Sequence, residues 1–553
     1  MTKPMFKAVV LFALFVAVVA QAQNYVKPPH FNHVVIIVQE NRTPDNLFGA
    51  GAGPQATCGS EHQFEPGVDI DNGGPNLASK NNGGPYITCT QPVGNLLTGG
   101  GSHNHQGPGP NAGWVADCDA DSSGRCRMDG FCLDSGDWPN CIGYEYVTRS
   151  TVQPYFDIAT NYGFANYMFQ THQGPSFEAH QFLFGGTSGP VFPGDPNNYY
   201  QDFVAENASF YDSGCPVTNQ GPKWIDPGGN ELGSKVFSEC YDHNTLVTYQ
   251  DPSTGLVHDR GVSWTYYTPD DVGIIWNAPG ANPQTCYSAK TGNGPCGGAE
   301  WGHVSVAKTD YRKSVPILND IAACNLSAIS WAIPDEIWSD HPGFRDNSSG
   351  PSYVADIVDA IGNSTCTDNG QTYWQDTAIF ITWDDWGGFY DHVPPPVTYT
   401  AKNGLPCSDA FAPNGWGCGY VYGFRVPLLV VSAYTQPHTI SGPISGPPTY
   451  PPDPCWTHDF GSILKFTENN FLGPNAAIAQ PGPTQYTYAD QNSLDAVCQK
   501  KQVVPLWDFF LGPYRNFTPI LPTDPSYDAN YFMNYYQANN ATPIGPEDGD
   551  PDD

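Results

Sequence analysis

Four short apolar runs predict buried strands. The runs are HVVIIVQ (33–39), AISWAIP (328–334), TAIFITW (377–383) and VPLLVVSA (426–433). None alternates cleanly between apolar and polar positions, which is typical of strands covered on both faces in a parallel sheet. Two further segments, Ser352–Ser364 and His458–Gly473, place apolar residues at helical spacing. The pattern predicts an α/β fold in which helices flank a central, mostly parallel sheet.

Between these segments the chain predicts long loops tied by disulfides. Residues 51–137 are rich in glycine, asparagine, proline and cysteine and show almost no periodicity. The 16 cysteines are even in number and include no C-x-x-C pair, which favours disulfides over zinc knuckles. The predicted organisation is one domain at 23–515, with insertions at about 51–140 and 195–300, followed by an acidic tail at 516–553 that we expect to fray.

The N-terminus predicts export. MTKPMFK is followed by the apolar run AVVLFALFVAVVA and by Ala20-x-Ala22, so residues 1–22 have the charged, apolar and small-residue order of a signal peptide. The apolar run of about 13 residues is shorter than the roughly 20 that span a bilayer, so we expect no stable membrane anchor. These features predict a secreted or periplasmic protein.

The charge of the chain limits its partners. A formal net charge of −33 with only 22 lysines and arginines argues against a nucleic-acid partner, because such binding depends on clustered cationic side chains. Electrostatic binding to anionic membranes is disfavoured for the same reason. The composition does not select a substrate.

Polar residues end two of the predicted strands. Glu40 and Asn41 follow the first run, and Asp384 and Asp385 follow the run at 377–383. The carboxyl ends of parallel strands lie along one edge of a sheet, so these side chains converge if the two strands are neighbours. Oxygen ligands of this kind suit Mg²⁺, Ca²⁺ or Mn²⁺, and carboxylates also bind Zn²⁺. The alternative is a solvated acidic turn.

A serine and several histidines are candidates for the chemistry. Ser176 follows Gly174-Pro175 and precedes the apolar stretch FEAHQFLF, so it is either a helix cap or a nucleophile activated by a metal. Histidines that could contact a phosphoryl group or protonate a leaving group stand at positions 103, 105, 243, 303 and 341. Each of them could equally be structural.

Six blocks resemble a known family. They are VVIIVQENRTPDNLFG, QGPSFEAHQFLFGGTSG, SDHP, DTAIFITWDDWGGFYDHVPPP, GFRVPLLVVSAYT and HDFGSILKFTENNF. In this order, from about residue 31 to 473, they resemble the bacterial phosphoesterase family of phosphatidylcholine-type phospholipases C and acid phosphatases, in the alkaline-phosphatase-like superfamily. The resemblance implies an α/β sandwich whose serine attacks phosphorus beside one divalent metal ion.

The resemblance also implies a site. Carried over to this sequence, Glu40, Asn41, Asp384 and Asp385 are metal ligands, and Ser176 is both the nucleophile and a fifth ligand. His341 in SDHP matches the family directly as a catalytic histidine, and His103 and His303 are the other two by looser alignment. His103 is favoured over His105, and His243 is kept as a candidate. Where the family commonly has Pro-Asn-Arg after the nucleophile, this chain has Glu178-Ala179-His180.

The substrate is left open between two branches of the family. A phospholipase C acting on phosphodiesters such as phosphatidylcholine is favoured, so the expected partner is a phosphate ester, including a phospholipid head group. An acid phosphatase acting on phosphomonoesters is the alternative. From another class, a secreted binding protein stabilised by a cation would also explain the acidic residues. The oligomeric state is not indicated by the sequence.

Overall fold

The computed structural model describes most of the chain from residue 29 onward. The described residues are 29–49, 58, 64–106, 112–122, 125–133, 139–188, 203–206, 214–216, 223–225, 231–232, 240, 243–251, 253–254, 256–269, 275–286, 295–307, 315–343, 345–396, 422–442, 454–478, 488–495, 505–539 and 541–542. The predicted signal peptide at 1–22 lies outside them.

An eight-stranded sheet forms the centre of the described structure. Its strands are β1 (His33–Gln39), β2 (Gly163–Ala165), β3 (Trp264–Thr268), β4 (Val304–Val306), β5 (Ile329–Ala332), β6 (Thr377–Trp383), β7 (Leu428–Val431) and β8 (Thr439–Ser441). The order across the sheet is β4-β3-β5-β1-β6-β7-β2-β8. Every pairing is parallel except the two made by β7, and this confirms the predicted mostly parallel sheet.

Helices cover both faces of this sheet. The described helices are α1 (Pro44–Phe48), α2 (Leu77–Asn81), α3 (Gly113–Cys118), α4 (Gln153–Asn161), α5 (Ser176–Gly185), α6 (Pro316–Ala322), α7 (Gly350–Gly362), α8 (Tyr373–Asp376), α9 (Phe460–Phe471), α10 (Ala489–Asn492) and α11 (Ala529–Asn539). On β6, Phe380 contacts Phe466 of α9 on one face, whereas Trp383 contacts Tyr155 of α4 on the other. The helices α5 and α9 pack together, and α7 packs against α4 and α6.

Shorter elements surround this core. The remaining strands are Gly73–Pro75, Ile87–Cys89, Gln91–Val93, Glu145–Val147, Met168–Phe169, Phe203–Glu206, Lys223–Ile225, Glu231–Leu232, Thr248–Gln250, Val257–Asp259, Thr367–Asp368, Gln371–Thr372 and His458–Asp459. Single 3₁₀ turns lie at Ala278–Ala281, Glu300–His303, Glu336–Trp338, Pro454–Trp456 and Trp507–Phe510. No helix in the described part of the chain is both long and apolar enough to span a membrane.

All four predicted strands are present, but one runs against the parallel expectation. The run VPLLVVSA contributes β7, which pairs antiparallel with β6 over Ile379–Thr382. Continuous burial of its four residues explains why its sequence resembles that of a parallel strand. Because its direction is reversed, the residue that leads into β7, and not the one that follows it, lies at the edge where β1 and β6 end.

Two predicted boundaries also differ from the structure. The interval 195–300, expected to be an insertion, supplies β3, which lies within the central sheet next to β5. The tail expected to fray contains α11, in which Phe532 and Tyr536 are buried one helical turn apart. Phe532 and Tyr536 share one face of the helix, and the Phe532 ring on that face packs on Trp338.

Disulfides tie the loops as the sequence predicts. The described pairs are Cys58–Cys89, Cys118–Cys126, Cys132–Cys141, Cys215–Cys240, Cys286–Cys296 and Cys324–Cys366. Five of them, with sequence separations of 8 to 31 residues, lie inside the two predicted insertions or at their edges.

Candidate active site

Two neighbouring strands deliver the acidic residues to one place. β1 and β6 are parallel and in register, with Gln39 opposite Trp383, and the amide of Asp384 donates to the Gln39 carbonyl at 3.0 Å. The residues that follow, Glu40 and Asn41 on one strand and Asp384 and Asp385 on the other, therefore meet at the carboxyl edge of the sheet. We call these four residues the strand-end cluster. All four have no exposed surface.

Ser176 faces the strand-end cluster. Its Oγ lies 3.3 Å from Oε2 of Glu40, 3.5 Å from Oδ1 of Asn41 and 3.5 Å from Oδ2 of Asp385. Ser176 is the first residue of α5 and not its cap, a position that Pro175 takes, and no side chain caps this helix. The hydroxyl is therefore directed at the acidic residues, and the first-turn amides of α5 surround it with a partial positive charge.

The Asn41 amide bridges the acidic residues and two histidines. Its nitrogen lies 2.9 Å from Nε2 of His103 and 2.9 Å from Nε2 of His341. The Nδ1 atoms of these rings face the carbonyls of Gly101 and Pro342, at 3.0 and 2.7 Å, and carbonyls only accept hydrogen bonds. Each neutral ring thus carries its proton on Nδ1 and offers an Nε2 lone pair to the amide NH₂ group.

This arrangement directs the amide oxygen towards other acceptors. It lies 3.2 Å from an oxygen of Asp384 and 3.3 Å from one of Asp385. Rotating the amide by half a turn would let its NH₂ group donate to Asp384 and Asp385, but its oxygen would then face two Nε2 atoms that carry no proton in the neutral rings. A cation among the oxygens removes the conflict, so the donor set fits a metal ion.

The carboxylates also favour a cation. Oδ1 of Asp384 accepts from the amides of Asn41 and Asp385, at 2.8 and 2.7 Å, whereas its Oδ2 accepts no hydrogen bond within the described part of the chain. Burial and the neighbouring Asp384 carboxylate raise the pKa of Glu40 well above its ordinary value. Buried carboxylates in this proximity are stable only with a proton or a cation between them.

The backbone around the cluster explains part of the WDDWGG motif. Asn41 has a positive φ of 60°, which asparagine tolerates better than most residues do. Gly387 also has a φ of 60°, and a Cβ there would lie 2.5 Å from the Asn41 carbonyl oxygen. Only glycine lets these two left-handed segments approach each other so closely.

The structure brings together seven of the eight predicted site residues. They are Glu40, Asn41, His103, Ser176, His341, Asp384 and Asp385. His303 is the exception: its Nδ1 lies 3.1 Å from the carbonyl of Trp264, the first residue of β3. Trp264 pairs with Ile329, which is opposite Val34 at the start of β1. His303 therefore lies at the opposite edge of the sheet, and its assignment to the site is corrected.

The alternative histidines also lie outside the strand-end cluster. Nδ1 of His105 contacts the carbonyl of Gln173, three residues before Ser176, and its ring stacks on Trp114. His243 lies at the far end of α5, where a Cβ on Gly185 would meet its ring. Of the three, the geometry selects His103, which contacts Asn41 directly.

Sequence reasoning missed His180. Its Nε2 lies 3.1 Å from Oε1 of Glu40, and the side chains of both residues have no exposed surface. Burial lowers the pKa of His180 to about 4, so the contact joins a neutral ring to the carboxyl group and is not an ion pair. The spacing of four residues from Ser176 is the signal that could have found it, since residues i and i+4 share one face of a helix.

Comparison with known sequences gives one family. The family model described as "Phosphoesterase family" matches residues 31–472, which is most of the chain. The matched segment begins just before β1 and ends just after α9, so it includes the sheet, α5 and the strand-end cluster.

Three relatives illustrate the similarity. Phospholipase C A of Mycobacterium tuberculosis is 27% identical over 218 residues, covering 38% of this chain and 39% of the relative. A non-hemolytic phospholipase C of Burkholderia pseudomallei is 29% identical over 292 residues, covering 50% and 36%. A non-specific phospholipase C1 of Arabidopsis thaliana is 32% identical over 110 residues, covering 20% and 18%. The matched segments thus span well under half of each relative's length.

Proposed function

Because this chain belongs to the phosphoesterase family, we propose that it hydrolyses phosphate esters through a phosphoserine formed on Ser176. The observation that carries the proposal is the position of the Ser176 hydroxyl, 3.3 Å from Glu40 and 3.5 Å from Asp385 at the N-terminus of α5. A serine that only capped a helix would not need buried acidic partners.

The strand-end cluster and the Ser176 hydroxyl are the proposed ligands of one divalent metal ion. The orientation of the Asn41 amide supports this assignment, as does Oδ2 of Asp384, which accepts no hydrogen bond from the described residues. A bound divalent cation would lower the pKa of the serine hydroxyl and offset negative charge on the phosphoryl oxygens. The oxygen donors suit Mg²⁺, Ca²⁺ or Mn²⁺, and Zn²⁺ is also compatible with them.

The residues of the chain have distinct roles in the proposed reaction. The Ser176 oxygen attacks phosphorus and forms a new P–O bond, while the bond from phosphorus to the leaving alcohol breaks. The first-turn amides of α5 contact the phosphoryl oxygens. His341 or His103 takes up the proton that Ser176 loses, at its Nε2 lone pair, and the resulting imidazolium gives that proton to the leaving oxygen, while Nδ1 keeps its own proton against a carbonyl. Water then cleaves the phosphoserine and restores the serine.

Phosphodiesters are the proposed substrate class. The relatives with 26 to 29% identity are named phospholipases C, which favours a head-group diester such as phosphatidylcholine over a phosphomonoester. Hydrolysis of phosphomonoesters, as by an acid phosphatase, is the second candidate, because the serine and metal ligands serve both reactions. The six described disulfides favour an oxidising compartment and hence the exported protein.

The test compares Ser176→Ala with a matched serine. Ser330 is also fully buried, and its hydroxyl has no hydrogen-bond partner within the described part of the chain. We expect Ser176→Ala to lose at least about 10³-fold in kcat on p-nitrophenylphosphorylcholine, since a covalent route is removed. Ser330→Ala should retain the wild-type rate and the wild-type circular dichroism.

Two further measurements complete this test. Acid quenching of wild-type protein during turnover should trap one phosphoryl group on the peptide that contains Ser176, as seen by mass spectrometry. Comparing p-nitrophenyl phosphate with the choline diester separates the phosphatase from the phospholipase C. A folded Ser176→Ala variant with near-normal rates would overturn the nucleophile. Failure to hydrolyse either ester, across pH and added metals, would favour a cation-stabilised binding protein.

A further inference from the structure

We propose that His180 is a direct nitrogen ligand of the divalent cation, so that the site is a mixed nitrogen and oxygen site. This inference rests on the proposed function, because it assumes that the strand-end cluster holds a metal ion. It concerns the one buried imidazole in the described part of the chain that contacts Glu40.

The geometry places His180 against the same Glu40 carboxyl group that Ser176 contacts. Ser176 and His180 are one turn apart on α5, and they contact the two oxygens of the same carboxyl group, Oε2 at 3.3 Å and Oε1 at 3.1 Å. One ligand atom from each of Glu40, His180 and Asp384 lies within 4.8 Å of the other two. All three residues are buried. A single ion among them could therefore contact all three.

The hydrogen bonds of the ring leave Nε2 available as a ligand. The Tyr266 hydroxyl has one proton and donates it to the Trp276 carbonyl at 2.6 Å. The same hydroxyl lies 3.4 Å from Nδ1 of His180, so it can only accept there, and Nδ1 must carry the proton. The Nε2 atom then presents a lone pair to the Glu40 oxygen. An acceptor for the second ring N–H commonly fixes the tautomer of a ligating histidine, and Tyr266 takes that place here.

Two lone pairs facing each other in a buried site need an electropositive group. A proton on Glu40 could serve either His180 or Asp384, because Glu40 contacts both side chains, but one proton cannot serve both. A cation satisfies His180, Glu40 and Asp384 together. The competing arrangement, in which Nε2 donates to Glu40 and His180 only orients it, requires a second proton at Tyr266, and this hydroxyl does not have one.

An imidazole ligand changes which metals the site prefers. Carboxylate and amide oxygens alone suit Ca²⁺, Mg²⁺ and Mn²⁺, whereas a neutral imidazole suits Zn²⁺. We therefore expect the wild-type site to select Zn²⁺ over Ca²⁺, and we expect that selectivity to depend on His180.

The experiment measures metal binding rather than turnover. Chelator-stripped protein is titrated with Zn²⁺ and with Ca²⁺ by calorimetry, and the Mn²⁺ form is studied by pulsed electron paramagnetic resonance. Wild-type protein should show the ¹⁴N coupling of a directly bound imidazole. His180→Gln should lose that coupling and at least 10-fold in Zn²⁺ affinity while its Ca²⁺ affinity changes much less. His243→Gln, a buried histidine at the other end of α5, should retain both properties.

The outcomes separate this inference from the proposed function. If wild-type protein binds Mn²⁺ without direct ¹⁴N coupling, or if His180→Gln weakens Zn²⁺ and Ca²⁺ equally, His180 is not a ligand, although the metal-dependent reaction stands. If wild-type protein binds no divalent cation, the proposed function itself fails. Should His180→Gln not fold, the wild-type spectrum still decides. Tyr266→Phe, which removes the acceptor that holds the His180 proton on Nδ1, should lower the affinity for Zn²⁺ more than the affinity for Ca²⁺.

Discussion

At the scale of single residues, two buried acidic groups of the protein are neutralised in different ways. Near α1, His392 lies between Asp45 and Asp69, at 2.7 and 3.0 Å, and Arg425 pairs with Asp391 at 2.9 Å. These cationic side chains balance their carboxylates within the chain. Within the described part of the chain, Glu40 and Asp384 of the strand-end cluster have no such cationic partner, which is why we propose a metal ion there and not near α1.

The charge of His392 predicts a pH dependence of stability. Although burial opposes protonation, Asp45 and Asp69 raise its pKa well above the ordinary value, and its hydrogen bond lowers the pKa of Asp69 to about 2. Because the pKa of His392 is higher in the folded protein than in the unfolded chain, protonated His392 stabilises the fold fully below the unfolded pKa of about 6.5. This stabilisation is lost as the pH rises through the folded pKa. The Asp69 contribution is present above about 3.9 and is lost as the pH falls towards 2.

We therefore expect His392→Gln to destabilise the protein most between about pH 4 and 6.5, with a difference that shrinks above that range. Urea denaturation at pH 5, 7 and 9 measures it. His258→Gln, which changes a partly exposed ring stacked on Tyr249, is the control and should show a small difference at every pH. A His392→Gln difference that stays constant from pH 5 to 9 would contradict the assigned charge.

Residues of the site differ in how far the sequence could predict them. Glu40 and Asp384 were predictable because each directly follows an apolar strand, and the strand end fixes their position. His180 was not predicted because its proposed role depends on which face of α5 it occupies and on its contact with Tyr266, 86 residues away in sequence. His303 was misplaced because its position follows from a 3₁₀ turn packed on Trp264, which leaves no periodic signal.

At the scale of elements, the sequence predicted which segments form buried strands better than it predicted the direction in which each strand runs. The four apolar runs became strands because continuous apolar residues need cover on both faces. Direction is set by the connections, so the antiparallel β7 resembled its parallel neighbours. β3 was missed because its five residues, WTYYT, carry polar atoms and no aliphatic run. Its buried rings instead pack on Phe184 of α5, a contact that appears only after folding.

The helix α11 gives a prediction at this scale. Phe532 has no exposed surface and packs against Trp338 and Tyr353, so it docks α11 on the loop that leads to His341. We expect Phe532→Ala to lower the free energy of unfolding by about 3 kcal/mol, since a buried aromatic ring is removed. Thermal and urea denaturation measure the change. Gln537→Ala, at an exposed position of the same helix, should have little effect.

Comparing Phe532→Ala with Gln537→Ala also tests the alternative in which the tail is frayed. If α11 contributed nothing to the fold, Phe532→Ala and Gln537→Ala would be equally neutral. The carbonyl of Trp338 also accepts a hydrogen bond from Gln39 at 3.4 Å. Loss of the contact between α11 and Trp338 should therefore also destabilise the end of β1. Increased amide exchange at Glu40 and His341 in Phe532→Ala, but not in Gln537→Ala, would reveal that connection.

At the scale of the whole molecule, the proposed metal site joins distant parts of the chain. The residues around it come from the ends of β1 and β6, from the start of α5 and from the loops that carry His103 and His341. Without a cation these parts are held against the repulsion of three buried carboxyl groups. Binding a metal ion should therefore stabilise the entire fold and not only the local loops.

Chelation should reveal this linkage. A metal present at 100 times its Kd contributes about 2.7 kcal/mol, so we expect EDTA to lower the thermal midpoint by a few degrees and added Mn²⁺ to restore it. Asp384→Asn should abolish that response. Because it removes one buried charge while its amide oxygen can still accept from the backbone, this variant should be at least as stable as the wild type in EDTA.

The control for the predicted stability of Asp384→Asn in EDTA is Asp391→Asn, which removes a carboxylate that is already balanced by Arg425. This variant should be less stable than wild type both with metal and with EDTA, and it should keep the wild-type response to Mn²⁺. Differential scanning calorimetry of the three proteins in the two conditions measures all six midpoints. If Asp384→Asn were destabilised in EDTA as much as Asp391→Asn, the strand-end carboxylates would not repel one another, and the physical reason for a cation at this edge of the sheet would be lost.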